Sequence, residues 1–473
     1  MTSCALSAAS LELSSAVEPQ NTGKKQRGCY HCGGDHRARE CALCICKACG
    51  GQGHTPPMCP LAPSSAADLC DMGSFGQPTG QQRAAFTYIE LFAGIGGFRV
   101  ALDAMGGRCV FASEIDRFAR DSYAANHGGE LPAGDITRID ANSVPSHDLL
   151  TAGFPCQPFS FAGARKGFGD TRGTLFREIV RLARAHQPKA LLLENVRGLE
   201  NHDDGRTLAT IVHELRDCGY RVTWRVMDAA ALLPQQRLRL FIVALRDDLD
   251  AVYEFPRLPA LGRAVVDVLQ PCASSTAPAA LSADEENRLM LSQHQLSKVL
   301  AQPYTQRHLQ ARFMCNPAST AARTLQSSYG HYMVASQFVP RSCCSVPASA
   351  EAVAAEAWRR FSPRECARLQ GFAESWRLHP QRSYNLLGNA VPPPLVALVA
   401  APLLICCGVQ PKNCSGSGGF IGEVEDMSRD WGWRVASTLL LDAAPVDGQR
   451  RDALLRLLSN AEAHSGRGEP GDT

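Results

Sequence analysis

From Phe86 onward the chain alternates short apolar runs with amphipathic stretches, and that alternation restricts the fold more than any other feature. Tyr88–Phe92, Cys109–Ser113, Leu149–Ala152, Ala190–Glu194, Arg221–Val226 and Leu240–Ala244 read as strands. Phe98–Met105, Arg117–Asn126, Thr174–His186 and Gly205–Asp217 carry a helical repeat of apolar residues. Strands and helices in alternation predict an α/β domain built on an open, doubly wound sheet. Ligands of such sheets bind beyond the carboxyl ends of the strands. With 473 residues, 45% of them hydrophobic, the chain can build a sizeable core and has room for further domains.

Outside this region the composition changes. Residues 1–28 are Ser-, Ala- and polar-rich and read as disordered. Residues 29–59 hold seven of the 20 cysteines, and 60–85 read as a linker. The N-terminus lacks a basic start followed by a long apolar run, so no secretory signal is expected. Clustered cysteines then read as metal ligands. Periodicity fades between Arg246 and Arg360, and acids are absent from Asn287 to Ala350, while Arg288, Lys298, Arg307, Arg312, Arg323 and Arg341 remain. A one-sign stretch fits phosphate contact, whereas the net charge of +2 carries no such argument. Ser362-Pro363-Arg364-Glu365 predicts a capping box opening a helix through Leu369. The apolar run Pro393–Val409 is short for a membrane span and is interrupted by Pro402, so a buried helix is expected and no membrane. The tail from 409 is Gly/Ser-rich, then weakly helical from Gly448 to Asn460.

Four motifs carry chemistry. Phe92-Ala93-Gly94-Ile95-Gly96-Gly97 joins a strand to a helix, where glycines admit a ligand close to the backbone. Glu114 ends the next strand and can accept ribose hydroxyls; Asp135 can reach an adenine amino group. Either acid taken alone also reads as an exposed loop carboxylate, and the spacing does not separate a nicotinamide cofactor from S-adenosylmethionine. Gly153-Phe154-Pro155-Cys156-Gln157-Pro158-Phe159-Ser160 follows a strand and presents a cysteine in a proline-stiffened turn, as a nucleophile requires. Residues Phe161–Gly173, with four glycines and three basic side chains, read as a mobile lid. Glu194-Asn195-Val196 places a glutamate at a strand end, where desolvation raises its pKa and suits proton donation; a structural acid is the other reading. In Gln235-Gln236-Arg237-Leu238-Arg239, alternation turns both arginines to one side, suiting a carbonyl oxygen and a phosphate.

The order FAGIGG, GFPCQPFS, ENV, QQRLR, then RECARLQGF (Arg364–Phe372) and GNAVPPP (Gly388–Pro394) resembles the motif series of DNA cytosine-5 methyltransferases, over Thr87 to Leu404. The resemblance implies a Rossmann-like methyltransferase sheet using S-adenosylmethionine (residues 86–245 and 361–408) with a smaller target-recognition domain (246–360). It implies methyl transfer to C5 of a cytosine flipped out of duplex DNA. By position, Cys156 matches the nucleophile, Glu194 the acid at N3, Arg239 the guanidinium at O2 and Arg237 a neighbouring support. Phe92, Gly94, Gly97, Glu114, Asp135 and Asn389 match positions lining the donor. Gln157 and Ser160 match the loop that closes on the base, and Arg323-Thr324-Leu325 the opening of a target-recognition segment. RNA methylation and a silent nucleic-acid-binding scaffold are the alternatives; a dehydrogenase leaves QQRLR and GNAVPPP without a job.

Separately, Cys46-x2-Cys49-x4-His54-x4-Cys59 has zinc-knuckle spacing, and Cys29-x2-Cys32-x3-His36-x4-Cys41 is one residue tighter. Three thiolates and an imidazole make a closed tetrahedral zinc site, so two structural zinc ions are expected. Knuckles bind single-stranded nucleic acid, with protein contact as the alternative. Beside such a catalytic domain they suggest a eukaryotic nuclear protein, with cytoplasm or nucleoid as the alternative for a prokaryotic one.

Overall fold

The computed structural model describes residues 84–155, 174–275, 280–301, 315, 321–330, 337–341, 357–410 and 435–440. The chain divides into two compact units, 1–82 and 83–473, and every described residue lies in the second. The arm read as disordered, both expected zinc sites, most of the expected linker, the expected lid and the expected helix at Gly448–Asn460 therefore fall outside the described residues.

Six strands form the main sheet: β1 (Phe86–Leu91), β2 (Gly107–Ser113), β3 (Leu149–Gly153), β4 (Ala190–Val196), β5 (Tyr220–Asp228) and β6 (Leu238–Arg246), in spatial order β2-β1-β3-β4-β6-β5. β1 pairs parallel with β2 and β3, and β3 with β4; β6 runs antiparallel to both of its neighbours. All six strands were expected, but the sheet is mixed, and the direction of β6 matters for the site. A nine-residue strand spans about 30 Å. Running parallel, β6 would begin at the far edge; running antiparallel, it starts beside the carboxyl ends of β3 and β4, and brings Arg237 and Arg239 there.

Alternation sorts the strand side chains to two faces. Tyr88, Leu149, Leu192, Phe241 and Val243 pack beneath α1 (Gly97–Ala104) and a late helix, Pro393–Cys406. Ile89, Leu150, Leu191, Leu193 and Ile242 pack beneath α3 (Thr174–His186) and α4 (Arg206–Arg216). α2 (Arg117–Asn126) follows β2. The stretch Ser383–Cys406 is long and apolar enough to cross a membrane, but its Pro393–Cys406 helix is core: Leu395 through Leu404, except Pro402, are buried. The helix continues through Pro402.

Beyond β6, α5 (Ala283–Leu289) and α6 (Gln293–Leu300) lie where periodicity faded. With seven and eight residues they are too short to show an apolar repeat; their signal was the capping boxes Ser282/Glu285 and Ser292/Gln295. A two-residue ribbon, β7 (Val339–Pro340) with β8 (Trp358–Arg359), joins α6 around Leu296, Val299, Phe338 and Trp358. Then come α7 (Pro363–Gln370), opened by the expected capping box, α8 (Ser383–Asn389) and α9, the Pro393–Cys406 helix. Two segments belong to the sheet's core although the sequence did not place them there: Tyr253, Phe255 and Leu261 after β6, and Ala436, Leu439 and Leu440 from the tail.

Candidate active site

The turn after β1 is built on left-handed backbone. Phe92, Gly94 and Gly96 have φ of 53°, 56° and 88°, which turns the chain sharply from strand into α1. For Phe92, a residue with a Cβ, such backbone costs about 1–3 kcal/mol. This φ also ends β1 at Leu91, one residue short of expectation. Each glycine has its own reason. A Cβ on Gly97 would stand 2.6 Å from the Val391 carbonyl, so glycine seats α1 against the segment after α8. Gly94 has open space where a Cβ would be, so the bare backbone there is free to meet a ligand.

Glu114 joins that turn directly. One carboxylate oxygen accepts from the Gly94 N–H at 2.8 Å and the other from the Asp116 N–H at 2.7 Å. The carboxylate is thereby fixed beside the open backbone, with a lone pair left on each oxygen. This arrangement fits a ribose-bearing donor. Asp135 is reached through Glu114 N–H to the Ala133 carbonyl and Ser113 Oγ to the Gly134 carbonyl. Its own carboxylate caps the turn Ile136–Arg138, accepting from Thr137 N–H and Oγ, and these bonds hold it below the usual carboxylate range. Asn389 is exposed at the end of α8, between Gly388 and Ala390.

The second half of the site lies at the ends of β3, β4 and β6. Gly153 faces Glu194 in register. The Glu194 carboxylate pairs with Arg239 Nε at 2.8 Å, the two side chains being 12% and 10% exposed. Burial pushes the Glu194 pKa up, and the charges of Arg239 and Arg237 pull it back only in part. Asn195, to which the sequence reading gave no role, is buried and donates from Nδ2 to the Phe154 carbonyl at 2.8 Å, fixing the strand end that leads to Cys156. Its signal was its place between Glu194 and Val196. Cys156, Gln157 and Ser160 themselves lie outside the described residues.

Arg237 has no solvent exposure. Its guanidinium donates to the carbonyls of Leu325 (3.0 Å), Gly388 (2.9 Å) and Ala390 (2.6 Å). It thus supports the site from behind and does not face a phosphate. Burial and the Arg239 charge push its pKa well down, with Glu194 opposing. Gln235 continues the same fastening, accepting from Leu325 N–H and donating to the Leu369 carbonyl, each at 2.8 Å. Thr324 Oγ donates to the Gln236 carbonyl at 2.7 Å, and Arg323 N–H to Gln337 Oε1 at 2.6 Å. Among the described residues no group of His, Cys, Asp and Glu could hold a metal.

A profile of C-5 cytosine-specific DNA methylases matches residues 86–404. The chain belongs to that family. Its sequence is 37% identical over 332 residues to the type II methyltransferase M.DsaV of Dactylococcopsis salina, covering 68% of this chain and 87% of that protein. It is 38% identical over 329 residues to M.NlaX of Neisseria lactamica, covering 67% and 95%. The crystal structure of S. pombe Dnmt2 methyltransferase shares the fold, with a TM-score of 0.52 at 23% identity over 68% of this chain and 98% of that one. The methylase is a DNA (cytosine-5)-methyltransferase, and membership carries S-adenosylmethionine as its methyl donor.

Proposed function

We propose that this methylase acts by covalent cysteine catalysis on a cytosine flipped out of duplex DNA, with Cys156 as nucleophile and Glu194 as the acid at N3. The observation that carries this reading is the convergence, at one sheet edge, of the Gly94–Glu114 cradle, the strand end entering Cys156 and the Glu194–Arg239 pair. C5 of cytosine is a weak nucleophile. The Cys156 thiolate adds to C6, and the C5=C6 electron pair moves through the ring toward N3, where Glu194 holds a proton. Arg239 donates to O2 and shares the charge. The ring is now an enamine, nucleophilic at C5. When bound, S-adenosylmethionine supplies the electrophilic methyl group. A base then takes the C5 proton, the C5=C6 bond reforms, the C6–S bond breaks, and the thiolate and the N3 proton return to the protein. No ring inside a duplex can be attacked in this way, which requires the base to be extruded.

Phe92, Gly94, Gly97, Glu114, Asp135 and Asn389 line the donor in this reading; Gln157, Ser160, Arg323 and Thr324 serve the base and its flanks. Arg288 and Lys298 are exposed and suit phosphates; Arg341 is already paired with Glu286 at 2.8 Å and suits them less. The N-terminal ligands Cys29, Cys32, His36, Cys41 and Cys46, Cys49, His54, Cys59 hold two zinc ions and contact single-stranded nucleic acid, and a nuclear location goes with them. Metal analysis of the full chain tests the zinc claim, and imaging of the tagged protein the location. The test of the chemistry is trapping on duplex DNA carrying 5-fluorocytosine, which has no C5 proton to lose. The parent should form a covalent adduct and Cys156→Ser none; an adduct in the mutant contradicts the assignment.

A further inference from the structure

His127 stands directly behind the donor turn. A Cβ placed on Gly96 would lie 2.3 Å from His127 Nε2, so ring and turn backbone are in close contact. The ring is held on two further sides. Its centroid is 4.5 Å from that of Tyr123 and 5.6 Å from that of Trp376, the latter pair edge to face. The end of α2 that carries His127 is fastened to the Trp376 segment by a reciprocal amide pair. Asn126 Oδ1 accepts from Arg377 N–H at 2.8 Å, and Asn126 Nδ2 donates to the Arg377 carbonyl at 3.0 Å. Ile95, inside the turn, packs into the cluster that contains Trp376. His127 Nε2 is buried without a well-formed hydrogen bond, and the ring meets the Ile95 backbone inside the turn, so it acts there chiefly by its shape. Burial, with the Arg99 charge, pushes its pKa down to about 4, and the ring is neutral at pH 7.

We infer that His127 is a positioning residue for the methyl donor, a clamped backstop that keeps the strained Phe92–Gly97 turn in its binding shape. The inference rests on the reading of that turn as the donor site. Left-handed backbone at Phe92 is strained, and the glycines at 94 and 96 leave the turn a wide choice of conformations, so its shape is lost when unsupported. A turn that must be reordered on binding lowers affinity by the fraction of time it is misshapen.

The test is calorimetric binding of S-adenosylhomocysteine to the full chain, with donor KM and kcat on duplex DNA. His127→Ala should weaken binding and raise donor KM about five- to tenfold, leaving kcat at saturating donor within about twofold. His127→Phe keeps a flat ring of similar size in the same slot, giving up only the interaction with the Ile95 backbone, so it should retain most of the parental affinity. Asn126→Ala, which opens the clamp at a distance, should show a smaller loss of the same sign, and it carries the test if His127→Ala does not fold. A donor affinity unchanged in His127→Ala, or in Asn126→Ala where that variant carries the test, while Glu114→Ala weakens it, overturns the inference alone. An equal loss in His127→Phe also overturns it, because shape would not be the cause. Affinity unchanged in Glu114→Ala as well overturns the donor-turn reading and the inference with it.

Discussion

Two of the Arg–Glu pairs among the described residues, Arg359–Glu365 and Arg239–Glu194, are bonded very differently. Arg359 and Glu365 join in a two-bond fork, both at 2.8 Å, with the side chains 1% and 0% exposed. Glu365 also accepts from Gln270 N–H and Ser362 N–H, each at 2.7 Å, which fills its acceptor sites. Glu194 has Arg239 as its one partner among the described residues, through a single 2.8 Å contact at the sheet edge. A carboxylate can accept about four hydrogen bonds. The first pair has none left and can only hold β8 to α7. The second keeps capacity for a ligand and has a raised pKa besides. A buried ion pair thus marks a working site by what it leaves unbonded, and burial alone does not separate the two.

Substitution should split the pairs cleanly. Glu194→Gln removes the proposed acid at N3, and kcat should fall about 10²- to 10⁴-fold with thermal stability near parental. A large stability loss with undiminished turnover would reverse the assignment. The parent's own rate should depend on pH in a set direction. In the proposed mechanism the acid form of Glu194 is needed and its pKa is raised, so the high-pH limb of the single-turnover rate falls as pH rises through that pKa, while protonation of the Cys156 thiolate sets a separate low-pH limb.

Glu365→Ala strands the Arg359 charge in the core and should lower stability by about 3–5 kcal/mol, read from denaturant midpoints. Folded protein should still bind S-adenosylhomocysteine. A smaller effect, about 1–3 kcal/mol in all, is expected at Arg237→Met, because relief of the buried guanidinium's desolvation offsets part of the cost of the carbonyls left without a donor. Because those carbonyls lie on Leu325, Gly388 and Ala390, DNA affinity should weaken too. Stability and DNA binding both unchanged would show that the fastening is idle.

A third buried acid sharpens the comparison most subtly. Glu90 is fully buried in β1, with one oxygen unpartnered and the other accepting from Tyr123 at 3.3 Å. Burial, only partly offset by Arg99, raises its pKa to about 8. Its folded pKa lies above the unfolded value, so its contribution to stability is fully present below about pH 4 and is lost as pH rises through about 8. Glu90→Gln should flatten that decline and gain roughly 1–3 kcal/mol at pH 9 over the parent. Melting temperatures measured from pH 5 to pH 9 check it; parallel curves for both proteins would contradict it.

Much of the sheet was legible because parallel strands buried on both faces must read as apolar runs: β1, β3 and β4 appear within two residues of expectation, as does the half-buried edge strand β2. Glu114 beside the glycine turn was equally visible, since both follow consecutive strands. The direction of β6 was hidden, because an apolar run is the same in either direction, and with it the reason Arg239 reaches Glu194. Arg237 and Arg239 look equivalent in Gln-x-Arg-x-Arg, yet one is enclosed by carbonyls from segments 88 to 153 residues away, and no local pattern reports such partners. His127 was missed for the same reason: its role comes from Gly96 and Trp376, distant in sequence.

The claim that Glu194 activates the ring can be tested apart from methyl transfer, by following exchange of the C5 hydrogen of cytosine in duplex DNA with solvent. Exchange requires thiolate addition at C6 and charge withdrawal at N3. The parent should exchange this hydrogen, and Glu194→Gln should lose exchange and methylation by the same factor, within about threefold. A Glu194→Gln protein that exchanges at the parental rate while failing to methylate would contradict the account, since ring activation would then proceed without Glu194.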